Sequence, residues 1–402
     1  MRFWTEGLVL RPLCVVALAC LATPLVAQSG GLAGPSSVAA DLETGDGLTD
    51  PQYRSDFPRA VAPRWFAWKD GVADRGLKFN FDYLSLGQWS DMNVAENDAA
   101  AGIFRFYGTW AATEHGGLTF KLENRHAYSK VAPQNLGFSA GAGFMPGTAF
   151  NDTGTLLTNL FWTQRDAEGA WSLQAGQIDV TDFLDVYGAV SPYTAFQNLS
   201  FNTNPTINAP NPGLGLAGGV WLGDTVYAVG SVADANADPS EPGLDVFDHG
   251  KLFKSLEVGL TSGRDRIYFD NVHMTLWHVD ADASQGRAED YGVSVSASWF
   301  VDNRWLPFVR AGVADKGTGL YKRSLSTGIA YYGRNTDAAG LGLNWAEGAS
   351  GGEAQFTAEL FYRFSIAPGL QITPSLQVID APVANPGLGT VTVLGLRTRV
   401  VF

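Results

Sequence analysis

From Leu77 onward, apolar and polar residues alternate with a period of two through much of the chain. In the last stretch Thr392, Leu394, Leu396, Thr398, Val400 and Phe402 share one parity. Val393, Gly395, Arg397, Arg399 and Val401 share the other. A strand points successive side chains to opposite faces, so this stretch has one apolar face and one carrying two arginines. Leu77, Phe79, Phe81 and Tyr83 alternate in the same way with Lys78, Asn80 and Asp82. Leu118, Phe120 and Leu122 oppose Thr119, Lys121, Glu123 and Arg125. Ala354, Phe356, Ala358, Leu360, Tyr362 and Phe364 oppose Gln355, Thr357, Glu359 and Arg363. A soluble sheet with a charged inner face would bury charge without partners. A transmembrane barrel reverses the rule, with lipid outside and water inside, and there the pattern makes sense.

The same reading predicts about sixteen strands, most of them roughly ten residues long, the length that crosses hydrocarbon at a tilt. They begin near Leu77, Ile103 and Leu118. Thr155–Arg165, Ala170–Ile178, Leu214–Leu222, Thr225–Ala233, Phe253–Thr261 and Arg266–Val279 follow. The series closes with Asp290–Val301, Arg304–Ala314, Lys322–Tyr332, Ala339–Ala346, Ala354–Phe364, Leu370–Ile379 and Thr390–Phe402. Tight turns at 166–169, 223–224 and 302–303 are interspersed with long loops at 87–102, 130–154, 179–213, 234–252 and 280–289. Short periplasmic turns facing long external loops are what an outer-membrane barrel requires. Sixteen strands leave an aqueous lumen, whereas about eight are filled by their own side chains. Pro374 removes a ladder donor from its strand and predicts a local defect. The stretch from Val272 to His278 does not declare its inward parity.

The N-terminus reads differently. Arg2 and Arg11 precede the apolar run Pro12–Ala27, which has the order of a secretory signal and is short for a membrane span. Cleavage is expected after Ala27. Residues 28–50 are rich in Gly, Ser, Ala and Asp and are expected to be largely disordered. Around Trp65, Phe66 and Trp68 the sequence suits a short helix over the periplasmic mouth or an aromatic anchor. The resulting division is a signal peptide over 1–27, a partly disordered periplasmic segment over 28–76 and a barrel over 77–402.

Composition supports this picture. Only 17% of the chain is charged, 12% is aromatic, and 47 of 402 residues are Gly, which suits many strands and turns. The two cysteines, Cys14 and Cys20, fall inside the expected signal, so the mature chain would have no thiol chemistry. A net charge of −13 argues against nucleic acid as a partner. No other apolar run reaches the length of a transmembrane helix, so a membrane protein of this sequence must be a closed barrel.

Three decoys carry little. Gly137-Phe138-Ser139-Ala140-Gly141 fits G-x-S-x-G but sits in a Gly/Ala-rich loop, without the strand-to-helix turn that a nucleophile needs. Gly213–Gly218 fits G-x-G-x-x-G but continues as strand. His273 and His278 fall on opposite faces, which argues against a metal pair.

The candidate pore residues are the inward-parity charges Lys121, Glu123, Arg125, Arg165, Arg310, Glu359, Arg363, Arg397 and Arg399. Facing lipid at mid-membrane, an Arg or Lys would cost ~2–4 kcal/mol; facing the lumen it is solvated and can set selectivity. The loop after the fifth strand contributes Asp179, Asp182, Tyr187 and Phe196. Its run from Asp179 to Asn198 is too apolar for a freely solvated external loop, so it is expected to pack inside the barrel and narrow it. Sugars offer hydroxyls to polar groups and C–H faces to aromatic rings, which this set suits.

Several segments then resemble the carbohydrate-selective porins of Gram-negative outer membranes, the OprB-type family. They are Ala175-Gly176-Gln177-Ile178-Asp179, Asp182-Phe183, Phe196-Gln197-Asn198 and Thr203-Asn204-Pro205. Leu276-Trp277-His278-Val279-Asp280, Trp305–Gly312, Ile372–Gln377 and Gly395-Leu396-Arg397 follow in order. The resemblance runs from about Trp65 to Phe402, and the final Phe is similar to the C-terminal signature of outer-membrane proteins. It implies a sixteen-stranded barrel, monomeric or loosely associated, that passes small carbohydrates passively without a cofactor. It also implies that Arg310, Gln377, Asp179 and Asp182 occupy shared positions. The loops depart from the family, so no particular sugar is implied. A less selective, anion-preferring porin is the alternative that the lumenal arginines suggest. An outer-membrane hydrolase using Ser139 and a soluble exported β-domain are the readings from other classes.

Overall fold

The computed structural model describes residues 32–45, 51–53, 60–333 and 336–402; the expected signal segment 1–27 lies outside these. Among the described residues sixteen strands close into one barrel. They are β1 (Leu77–Ser90), β2 (Asp98–Ala111), β3 (Gly116–Ala127), β4 (Gly154–Arg165), β5 (Trp171–Ile178) and β6 (Gly213–Trp221). Next come β7 (Val226–Asp234), β8 (Leu252–Thr261), β9 (Asn271–Val279), β10 (Asp290–Ser298) and β11 (Trp305–Ala314). The last five are β12 (Arg323–Tyr332), β13 (Ala338–Glu347), β14 (Gln355–Ala367), β15 (Leu370–Asp380) and β16 (Thr390–Val401). Each strand pairs antiparallel with its sequence neighbours, and β16 closes the ring on β1, with Leu84 opposite Arg399. Closure leaves no backbone edge for hydrocarbon to meet.

The alternation sets the two faces. In β8, Leu256 is 50% exposed while the adjacent Glu257 is 1% exposed. The outward rows are Leu, Val, Ile and aromatic residues throughout most of the wall. Trp110, Trp171, Trp299 and Trp305 project near the turn end, and Trp89, Tyr291 and Phe356 near the loop end. Aromatic girdles at both ends match a membrane-spanning band. The parity left open around Val272 resolves with Val272, Met274 and Leu276 outward and His273, Thr275 and Trp277 inward.

Strand boundaries differ most from expectation in two places. The first hairpin is longer than predicted, leaving only 91–97 as loop, because Gln88 and Ser90 still alternate with Trp89. β9 begins at Asn271 and not at Arg266: Arg264–Arg266 forms a 3-10 turn, and the Arg266 side chain closes on Asp270 at 3.0 Å. The defect expected at Pro374 is present. The β14–β15 ladder passes from the pair Phe361–Ser375 to Phe364–Ile372, missing the place where Pro374 has no N–H to offer.

Among the described residues, two helices of eight residues or more precede the barrel. Helix α1 (Val38–Gly45) belongs to the stretch expected to be disordered outside the barrel, yet residues 32–45 lie within the lumen. Helix α2 (Pro63–Ala73) stands on the barrel rim, with Trp65 and Trp68 against the outward ring of Phe79 at 6.2 and 5.8 Å. Among the described residues no helix is long and apolar enough to cross a membrane.

Candidate functional site

The lumen is entered by the loop 128–153, whose Pro146 carbonyl accepts from Gln88 and Gln377 of the wall at 2.7 and 2.8 Å, and by two further pieces of chain. The larger is the loop 179–212 between β5 and β6. Its apolar residues give it an inner core: Tyr187, Phe196 and Phe201 pack on Phe308 of β11 and Phe361 of β14, with Phe196–Phe361 centroids 4.9 Å apart. Its backbone then needs partners, because an interior N–H or C=O without one costs about 1–3 kcal/mol. The inward charges of the wall supply them. Glu359 accepts the N–H groups of Gln197 and Asn198 at 2.7 and 2.9 Å. Arg397 donates to the carbonyls of Pro192 and Ala195 at 2.5 and 2.9 Å. Arg363 donates to Thr194 at 2.9 Å. Arg310 donates to the Asp185 carbonyl at 2.9 Å, pairs with the Asp185 carboxylate and lies 4.7 Å from the Tyr187 ring. Gln377 accepts from the Asn198 amide at 2.9 Å.

Several predicted pore residues are therefore clamped onto the loop and are not facing a water column. Glu359 and Gln377 are fully buried, and Arg310, Arg397 and Arg399 are 1–2% exposed. For Glu359, Arg310, Arg363 and Arg397 the physical reason is the loop itself, whose backbone groups take the place of water, whereas Arg399 is buried against Asp41 and Asp82. Asp179 caps the 3-10 turn Val180–Asp182 by accepting from Thr181 N–H at 3.0 Å. Asp182 accepts from Asn159 at 3.1 Å and stands 3.7 Å from Lys121. His273 faces inward and bonds Asp185 at 3.1 Å.

The second filler is residues 32–45. Asp41 reaches Arg105 of β2 at 2.9 Å and Arg399 of β16 at 3.2 Å. Asp82 of β1 pairs with both arginines, at 2.9 Å to Arg399. Val38 and Leu42 pack on Tyr107. The Gly34 N–H donates to the Asp182 carbonyl at 2.6 Å; a Cβ on Gly34 would lie 2.2 Å from that oxygen. Gly34 is thus needed for the close approach.

Above these, the external loops enclose a vestibule of about 970 Å³. Amides and hydroxyls dominate its lining: Asn151, Thr158, Asn208, Asn211, Asn236, Ser240, Gln285 and Thr318, with Asp238, Arg287 and Arg125. Arg125 is the one predicted site residue that reaches it, and its guanidinium is held 2.5 Å from Glu123. The remaining lining residues sit on loops without periodicity, which is why sequence reasoning missed them. A Ser240 hydroxyl donating to Asp238 holds that carboxyl below its ordinary range; Ser284 and then Asn236 do the same for Asp282.

The decoys fall elsewhere. Ser139 donates its hydroxyl to the Leu136 carbonyl at 2.8 Å within a short helical turn, and Gly213–Gly218 is part of β6. Among the described residues no cluster of His, Cys, Asp and Glu is placed to hold a metal.

The barrel is similar to solved structures. One is the high-pH structure of Pseudomonas putida OprB, at TM-score 0.69 and 15% identity over 84% of this chain and 97% of that one. The low-pH structure of the same protein aligns at TM-score 0.52 and 14% identity, over 84% and 96%. A mutant of the Rh. blastica porin aligns at TM-score 0.50 and 12% identity, over 81% of this chain and all of that one. At such identities the likeness concerns the fold. No curated protein matches the chain. A profile described as "Carbohydrate-selective porin, OprB family" matches residues 114–266 and 261–402, most of the barrel. With its closed sixteen-stranded wall and loop-filled lumen, the chain belongs to the OprB family of carbohydrate-selective porins, outer-membrane barrels for passive diffusion of small solutes.

Proposed function

We propose that the diffusing solutes are small neutral carbohydrates, first held in the vestibule and then passed along the loop-narrowed lumen. The observation that carries this reading is the vestibule lining, where Asn151, Asn208, Asn211, Asn236 and Gln285 offer both donors and acceptors to hydroxyl-rich solutes. Arg125, oriented by Glu123, adds a fixed fork of donors at its base. The other predicted pore residues act mainly by holding the constriction in shape: Glu359, Arg363, Arg397, Gln377 and Arg310 on the loop 179–212, Lys121 on Asp182. Export through a cleaved segment over 1–27 is part of this proposal, supported by the order of charge and hydropathy there.

The anion-preferring alternative draws less support. Of the lumenal arginines that suggested it, Arg399 is committed to Asp41 and Asp82, Arg310 to Asp185, and Arg363 and Arg397 to loop carbonyls. Purified protein in a planar bilayer tests the choice. Added sugar should reduce ionic current in a saturable way, and Arg125→Gln should weaken that block. Strong chloride preference with no sugar effect would replace this reading with the anion porin.

A further inference from the structure

We propose that residues 32–45 are a releasable gate inside the pore, seated against β16, β1 and β2 by the carboxylate of Asp41. The inference rests on the chain's being a pore but not on which solute it passes.

Three observations carry it. First, the seat is complete without the segment. Asp82 already bridges Arg105 and Arg399 from within the strand wall, with bonds at 2.8 and 2.9 Å. Asp41 adds a second carboxylate from outside the wall. Its withdrawal leaves two arginines sharing one acid, a cluster that water in an open lumen can solvate. Secondly, polar contacts seat the segment on both the wall and the loop 179–212. Asp41 meets two arginines, the Leu32 carbonyl accepts from Gln174 at 3.2 Å, and Gly34 bonds the Asp182 carbonyl. Its apolar contacts are Val38 and Leu42 on Tyr107, and Leu32 within a larger buried cluster. Thirdly, the segment covers this sector of the lumen together with Tyr193 of the loop 179–212, whose ring lies 4.1 Å from the Arg105 guanidinium. With it in place Asp82, Arg105 and Tyr107 are fully buried, although all three have the inward parity of a pore wall.

Release therefore does two things at once. It widens the passage beside β16, β1 and β2, and it uncovers one unit of positive charge where Asp41 had been. Conductance should rise and selectivity should move toward anions together. A mere structural brace would change neither.

The test uses the full-length protein in planar bilayers with potassium chloride alone, so its outcome does not depend on any sugar. Asp41→Asn removes the charge, and Gly34→Val places a side chain against the Asp182 carbonyl. Both should raise the fraction of time spent in the larger conductance state by about tenfold, the scale of one charged hydrogen bond. Both should also shift the reversal potential toward that of chloride. Folding is followed separately by the heat-dependent gel mobility of the barrel. As a second readout, Leu42→Cys is placed in a background where Cys14 and Cys20 are Ser. Leu42 is 6% exposed, so a water-soluble maleimide should label it slowly, and about tenfold faster when Asp41→Asn is added. Unchanged conductance and reversal potential in both gate variants, with equally slow labelling, would overturn the gate.

Discussion

Two of the pieces of chain inside the barrel, the loop 179–212 and residues 32–45, are held by opposite means. The loop 179–212 is fixed by aromatic packing, and the charges around it serve its backbone. Phe196 touches Phe201, Phe308 and Phe361, while Glu359, Arg363 and Arg397 each hold main-chain groups. Residues 32–45 are held chiefly by charge against charge, with Asp41 between Arg105 and Arg399. Aromatic burial is lost all at once and at high cost. The separation of a buried ion pair is offset only where water enters to hydrate the charges it parts, as an opening lumen allows. The difference teaches which piece sets the width of the pore and which piece varies it.

That contrast can be broken, most severely in the loop. Phe196→Ala should cost ~3–5 kcal/mol of packing. It should open the loop to chymotrypsin and lower the temperature at which the barrel unfolds, read by circular dichroism. A loop still protected after this change would mean that backbone bonds alone secure it. Glu359→Ala comes next. Leaving the N–H groups of Gln197 and Asn198 without their acceptor should cost ~1–3 kcal/mol each. The same protease assay should show an intermediate rate, with noisier single-channel current. Asp41→Asn should change conductance markedly while leaving the barrel's unfolding temperature nearly unchanged; equal losses in both quantities would erase the distinction between frame and gate.

The smallest effect is expected from pH at the vestibule. Asp238 lines it and Asp282 accepts from the lining residue Asn236; their carboxyls are held below the ordinary value of 3.8 by Ser240 and by Ser284 with Asn236. Groups lowered in this way contribute fully above the unfolded value, and the contribution fades as pH falls through the folded one. Between pH 8 and 5 the vestibule should therefore keep its charge, and sugar block should hold constant. A block that halves across that window would place a different titrating group at the mouth.

Much of the wall is legible in the sequence because lipid enforces a strict period of two. Leu394, Leu396, Arg397 and Arg399 declare their faces without a structure, and the run Asp179–Asn198 declares itself too apolar for water. The consequences of filling the lumen are not legible. Arg397 reads as a pore charge by parity, but its partners are carbonyls of Pro192 and Ala195, two hundred residues away in the chain. Asp41 lies among glycines, serines and alanines, a composition that signals disorder. What orders it is a pair of arginines on strands that only barrel closure brings side by side. The vestibule amides escape for a related reason, since loops carry no period to read.

The anchor at Gln52 and Tyr53 limits how far any gate could travel. Their N–H groups bond the carbonyls of Ser365 and Ile366 at the turn end of β14, at 2.9 and 3.0 Å. The chain from Gly45 to Pro51 can stretch at most roughly 20 Å. On so short a leash α1 swings aside and cannot drift off, and its carboxylate stays near its seat at an effective concentration in the millimolar range. Reclosure then follows first-order kinetics, at the same rate in a crowded membrane as in a single isolated channel.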